Sequence, residues 1–259
     1  MPARVAWISF TPVKGLRLRP LKETEVTVDG IPGDRAFFLV AEDGTMVNAK
    51  RLGPLLTVVA DHDADAGRLA LCFPGGSEVA GAVELGDPLP VRFYGTTLQA
   101  RPLRGEFSAA LSEHVGVPLR LMAAPPQRSG VDRGREGAVT FLSTASLERL
   151  QSEAGASAPV DARRFRMTFG VEGVEAHAED GWGDVRIGEA LVRVCGNVGR
   201  CAITTRNADS GEVDFQTLHH LAAYRRDGIE TTEPLPFGVH ARVLEPGRVR
   251  VGDPVAPLR

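Results

Sequence analysis

The first hundred residues turn too often to build anything but short strands. Runs at 4–10, 23–29, 35–40, 55–60, 68–73, 89–93 and 97–103 are rich in β-branched, aromatic and leucine side chains. They are separated by Asp29-Gly30, Glu42-Asp43-Gly44, Pro74-Gly75-Gly76 and Tyr94-Gly95. These joints supply positive φ or local side-chain turns. Many short strands with frequent turns predict an all-β barrel or sandwich, so the expected fold class is mainly β with a few helices.

The rhythm breaks at 106–116, where Phe107, Leu111 and Val115 recur at helical spacing and Gly116 can cap the C-terminus. This places a domain joint there and divides the chain into 1–105 and 106–259. In the second part a strand at 139–142 delivers Ser143 and Thr144 to a helix through Leu147, Leu150 and Gln151 that ends near Gly155. Strands are expected at 164–172, 184–195 and 201–206, then a turn at 207–211. Phe215, Leu218, Leu221 and Ala222 share one face of a helix that should stop near Gly228. Strands at 237–244 and 248–251, joined by Glu245-Pro246-Gly247, close the sheet. The Gly/Arg-rich stretch 125–135 reads as a loop beside the site, either solvated or anion-steering, and substrate choice is expected to rest on 127–137.

With 43% hydrophobic and 24% charged residues, a chain of 259 buries a substantial core. A net charge of -3 and a pI near 6.1 provide no broad basic field, so nucleic acid is not an expected partner. The apolar segment after Met1-Pro2-Ala3-Arg4 is too short for a signal-peptide core, and no window approaches 18 apolar residues. A cytoplasmic protein with no membrane partner is expected. Cys72, Cys195 and Cys201 include no CxxC pair, which excludes a disulfide framework and a four-thiolate iron–sulfur or zinc site within one chain. His219 and His220 have no third ligand at a recognisable spacing and read as surface or packing residues.

Cys201 is the chief candidate for chemistry. It follows the joint Gly196-Asn197-Val198-Gly199-Arg200, between two segments of strand composition, where a loop is expected to re-enter a sheet. Arg200 and nearby amides would favour a thiolate, the form that binds soft metals or attacks as a nucleophile. The alternative is an inert cysteine opening a buried strand. Ser143 or Thr144 suits an N-cap, and the same helix end could offer amides to a phosphate.

Arg164-Phe165-Arg166, Glu179-Asp180-Gly181-Trp182, Ile187-Gly188, Arg200-Cys201, Asp209-Ser210-Gly211, Phe237-Gly238 and Gly252-Asp253 follow in that order. Together they resemble the MOSC domain, named for the C-terminal domain of molybdenum cofactor sulfurase. Thr11-Pro12-Val13-Lys14-Gly15 and Gly33-Asp34-Arg35 look like the β-barrel domain that often precedes it. The resemblance implies an N-terminal β-barrel-like domain plus a MOSC β-barrel domain with flanking helices.

It also implies a site for the molybdenum cofactor (Mo-molybdopterin), with Cys201 as the protein thiolate on the metal and Asp180 as a catalytic carboxylate near it or a turn-former before Trp182. Lys14, Gly15 and Arg35 would hold the cofactor phosphate. Ser143, Thr144 and Ala145 would meet the cofactor through the helix N-terminus, Arg166 and Thr168 would line the pterin, and Arg200 would tune the thiolate. Gly15 stands where the family usually has serine, and Met167-Thr168 where it usually has Pro-Asn. The implied activity is reduction of a small N-hydroxylated or N-oxide substrate by oxygen-atom removal. Electrons would come from a separate electron-transfer protein of ferredoxin or flavin reductase type, since the chain ends soon after Gly252-Asp253. The alternative is a non-catalytic carrier of the cofactor, or of sulfur as a Cys201 persulfide. A third reading, kept open by Met167-Thr168, is a member that has lost the cofactor.

Overall fold

The computed structural model describes residues 2–125, 134–225 and 234–258. Most of the expected loop, residues 126–133, and the expected helix stop at Gly228 lie outside the described residues. Strands β1 (Arg4–Phe10), β2 (Arg19–Leu21) and β3 (Glu23–Val26) open the chain. Then come β4 (Phe37–Ala41), β5 (Met46–Val47), β6 (Val59–Asp63), β7 (Arg68–Cys72), β8 (Glu78–Ala82), β9 (Leu89–Phe93) and β10 (Thr96–Pro102). Helix α1 (Phe107–Val115) and β11 (Leu119–Ala123) complete the first half. The second half holds β12 (Val139–Ser143), α2 (Thr144–Ala154), β13 (Phe169–Glu172), β14 (Asp184–Ile187), β15 (Ala190–Gly199), α3 (Thr217–Tyr224), β16 (Pro236–Glu245), β17 (Gly247–Arg250) and β18 (Val255–Pro257). The fold is mainly β, as expected.

A five-stranded sheet in the order β5-β4-β11-β10-β9 and a three-stranded sheet β6-β7-β8 form the first unit. Its core gathers Val13, Leu16, Phe37, Leu39, Leu55 and Leu71, with Phe107 and Leu111 of α1 added. Gly116 caps α1 in the left-handed conformation. The helix expected at the domain joint therefore packs on the first unit. An eight-stranded sheet in the order β18-β14-β15-β16-β12-β13-β1-β2 forms the second. The chain's first strand lies inside that later sheet, paired antiparallel with β13, where the Trp7 indole fills the space that a side chain at Gly170 would need. Val5, Ile8 and Val26 accordingly bury with Phe141, Phe169, Val192 and Val239.

Several expected strands are otherwise. Residues 53–57 form a 3-10 turn with Pro54 in its first positions, and β6 starts only at Val59. Residues 184–195 are a hairpin, with Gly188 at φ +52° between β14 and β15. β17 does not close the large sheet but pairs with β3 as a separate two-stranded ribbon. The expected strand at 164–172 starts only at Phe169. Before it, Asp161 Oδ1 accepts the Arg163 N–H at 2.8 Å and caps a 3-10 turn over Ala162–Phe165, and Arg166 is left-handed at φ 56°. Phe165, Met167 and Phe169 are all buried, so every second residue points inward here although the backbone is turned. No helix among the described residues is long and apolar enough to cross a membrane.

Candidate functional site

Both units contribute to one cleft. The first brings Lys14, Gly15, Arg35, Asn48, Lys50 and Tyr94; the second brings Thr140, the segment 165–168 and the segment 198–201. Its described lining contains five cations, Lys14, Arg35, Lys50, Arg166 and Arg200, and no carboxylate, in a chain whose net charge is -3. Concentrating one sign of charge in a concave, partly desolvated site makes it a site for anions.

The arginines are built in from behind. Asp34, nearly buried, pairs through Oδ2 with Arg35 Nη1, while its Oδ1 accepts the Thr11 N–H at 2.9 Å. Arg35 Nη2 then donates to the Arg166 carbonyl at 2.9 Å, and Arg166 Nη2 donates to the Leu16 carbonyl at 2.8 Å. Burial first, and the neighbouring Arg35 cation second, push the Arg166 guanidinium down to about 9. The Lys14 ammonium stands 5.6 Å from the Tyr94 ring centroid, and Asn48 Nδ2 donates to the Tyr94 hydroxyl at 3.2 Å. Among the described residues five non-glycines have positive φ, and three of them, Arg35, Tyr94 and Arg166, line this cleft. Left-handed non-glycine residues persist only where the surroundings over-determine them, and they gather at ligand sites.

Cys201 is exposed and opens onto the same cleft. The expected geometry around it is corrected: β15 leaves the sheet at Gly199, and residues 202–205 coil into a 3-10 turn rather than a strand. The hydroxyls of Thr204 and Thr205 donate back to the carbonyls of Cys201 and Ala202 at 3.0 and 2.7 Å, which defeats the strand preference of Ile-Thr-Thr. Register shifts at Val194/Gly196 and Asn197/Gly199 bulge β15 just before the thiol, a device that re-aims side chains beside a site. Arg200 also borders the cleft but is almost buried, and its guanidinium works inward. Nε donates to the Phe237 carbonyl at 2.8 Å, Nη1 to the Phe165 carbonyl at 3.0 Å and Nη2 to Met167 Sδ at 2.9 Å. Thr168 is buried, its N–H donating to Thr140 Oγ1 at 2.8 Å and the two hydroxyls 3.1 Å apart.

Four of the expected site residues are elsewhere. Ser143, Thr144, Ala145 and Asp180 do not line this cleft. Ser143 is the N-cap of α2, accepting from the Ser146 N–H at 3.1 Å, and its own N–H donates to the buried Glu179 carboxyl. Asp180 accepts from Asn197 Nδ2 and Arg225 Nη2, both at 2.7 Å, so it fastens the end of β15 to the end of α3. Conversely, Asn48, Lys50, Tyr94 and Thr140 line the cleft without having been singled out. Tyr94-Gly95 was visible only as a turn, and Asn48-Ala49-Lys50 carried no motif.

The MOSC domain family matches residues 125–256, and the MOSC N-terminal beta barrel domain matches residues 2–118. The mitochondrial amidoxime-reducing component 1 of Xenopus laevis is 29% identical over 97% of this chain and 81% of its own length. The molybdenum cofactor sulfurase of Oryza sativa subsp. japonica is 24% identical over 85% of this chain and 30% of its own length. A solved structure, the YUAD protein from Bacillus subtilis, is 12% identical with a TM-score of 0.45, covering 98% of this chain and 94% of that one.

Proposed function

The chain belongs to the MOSC domain family, with that family's N-terminal β-barrel domain ahead of it, and from this premise we propose that its cleft binds the molybdenum cofactor and reduces N-hydroxylated or N-oxide compounds. The observation that carries this reading is the donor set: Lys14, Arg35, Arg166 and Arg200 around one exposed thiol in a single cleft with no carboxylate among its described lining residues. The set fits a cofactor that is anionic at its phosphate and soft at its metal. No three His, Cys, Asp or Glu side chains among the described residues gather to hold a bare ion. A metal here would therefore come with ligands of its own, and Cys201 would add one thiolate.

In this reading Lys14, as a point charge, and Arg35, as a planar fork, hold the phosphate, and the Gly15 amide faces it. Arg166 and Thr168 border the pterin. Arg200 holds Phe165, Met167 and Phe237 together behind Cys201, so it positions the thiol from below. Ser143 and Asp180 act at one remove, by fixing the start of α2 and the end of β15. The bound cofactor supplies a two-electron redox centre that accepts oxygen. Overall, N–OH plus two electrons and two protons gives N–H and water, with the electrons delivered by a separate electron-transfer protein. The relatives named as amidoxime-reducing components support this substrate class.

The deciding experiment measures molybdenum and pterin in wild type and Cys201→Ser purified from a host that makes the cofactor, then turnover of benzamidoxime with reduced methyl viologen. Stoichiometric molybdenum and turnover in the wild type, with turnover lost in the variant, are expected. Pterin without stable metal would instead make the protein a carrier. Folded protein holding neither would end the molybdenum reading.

A further inference from the structure

Four of the five cleft cations have their charge answered from within the protein. Arg35 is paired with Asp34, Arg166 and Arg200 donate to carbonyls, and Lys14 stands against the Phe93 and Tyr94 rings. Lys50 differs. Its side chain makes no hydrogen bond, ion pair or ring contact with any described residue, while its backbone is pinned at both ends. The Lys50 N–H donates to Asn48 Oδ1 at 2.9 Å, and its carbonyl accepts from Arg206 Nη2 at 3.3 Å. Arg206 closes the 3-10 turn that Cys201 opens, and Asn48 abuts Gly15. A fixed backbone thus presents an uncommitted ammonium beside the thiol's turn.

A cofactor phosphate carries about two negative charges near neutral pH. In the proposed site Lys14 and Arg35 meet those charges, Arg166 borders the pterin, and Arg200 is turned inward to two carbonyls and Met167 Sδ. Lys50 is the cleft cation left without a role. We infer that Lys50 selects N-hydroxylated substrates that also carry an anionic group, binding that group while the N–O bond lies toward Cys201. The inference rests on the reductase reading and adds a substrate class to it.

The test compares 4-carboxybenzamidoxime with neutral benzamidoxime in loaded wild type, Lys50→Ala and Lys50→Glu. The readouts are kcat/KM, calorimetric binding and molybdenum content. Wild type is expected to favour the carboxylate probe, and Lys50→Glu to lower kcat/KM for it roughly tenfold through KM, the effect of losing one charge-assisted hydrogen bond. The neutral probe and the molybdenum content should stay unchanged, and the preference should shrink at high salt. An unaltered preference in Lys50→Glu would overturn the inference. So would loss of molybdenum, which would move Lys50 into the phosphate bed. If neither probe turns over but the carboxylate probe binds more weakly to Lys50→Glu, the anion site stands and the reductase reading falls.

Discussion

Arg35 donates to the carbonyl oxygen of Arg166 at 2.9 Å across 131 residues of sequence, and both residues are left-handed, at φ 53° and 56°. One hydrogen bond thereby joins the two halves of the chain at the floor of the cleft. Arg35→Met would cut this tie and leave the Asp34 carboxylate buried without its cation. The expected cost is about 3 kcal/mol in chemical denaturation. Asp34→Asn combined with Arg35→Met should recover part of the loss, because the pair fails as a unit. Additive losses would show that Asp34 and Arg35 are not coupled.

Gly238 packs tightly against Phe141 and Met167, next to Arg200. At φ +76° an added Cβ would stand 2.6 Å from the Phe141 carbonyl oxygen and 2.7 Å from Met167 Cε, with Arg200 Nη2 at 3.4 Å. Gly238→Ala should therefore cost about 2–4 kcal/mol by combining a left-handed alanine with overpacking. Because Arg200 clamps Phe165 and Phe237, whose rings are 4.7 Å apart, the variant should also loosen the Cys201 turn. Faster alkylation of Cys201 by iodoacetamide, alongside a lower melting temperature, is the expected result. An unchanged alkylation rate would separate Arg200 from the thiol.

Turn residues and strand-forming composition made the strand-rich first half legible, and β1, β7 and β9 lie within a residue of the runs read from sequence. The two caps of α2, Ser143 and Gly155, were readable for the same reason: each acts through its neighbours in sequence. The motif residues Lys14, Arg35, Arg166, Arg200 and Cys201 meet in one cleft. Roles set by distant partners stayed hidden. Nothing near Arg200 in sequence signals that its guanidinium would turn to carbonyls at 165 and 237, nor that Asp180 would be occupied by Arg225. The 3-10 turn after Cys201 escaped because hydroxyl bonds three residues back overrode strand propensity.

Asp180 shows how such a hidden role can be tested. Its partner Arg225 is nearly buried, and the same carboxylate receives Asn197, one residue before the cleft-lining Val198. Asp180→Asn should cost about 2–3 kcal/mol, since it strands a buried guanidinium. Arg225→Met should cost less when introduced into Asp180→Asn than into wild type. A variant that melts like the wild type yet fails to turn over would restore Asp180 to direct action at the reacting atoms.

Stability should fall in acid through His177. Its two ring nitrogens are buried with no hydrogen-bond partner among the described residues, and burial first, then the Arg225 cation, push it down to about 4 from 6.5. The folded state therefore holds His177 neutral while the unfolded chain takes up a proton below about pH 6.5. A depressed pKa contributes stability that is present above the unfolded value and is lost as the pH falls toward the folded one. The loss should run from about pH 6.5 to about pH 4 and amount to about 1–2 kcal/mol, a figure lowered for the ring's partial exposure. Glu179 works in the opposite sense, because burial raises its carboxyl and penalises the fold as pH rises. The comparison that isolates the imidazole is wild type against His177→Asn, since asparagine tolerates the left-handed backbone at φ 63°. Urea midpoints from pH 7 to pH 4.5 should drop more steeply in the wild type. Parallel curves would mean that His177 is charged in the folded protein as readily as in the unfolded chain.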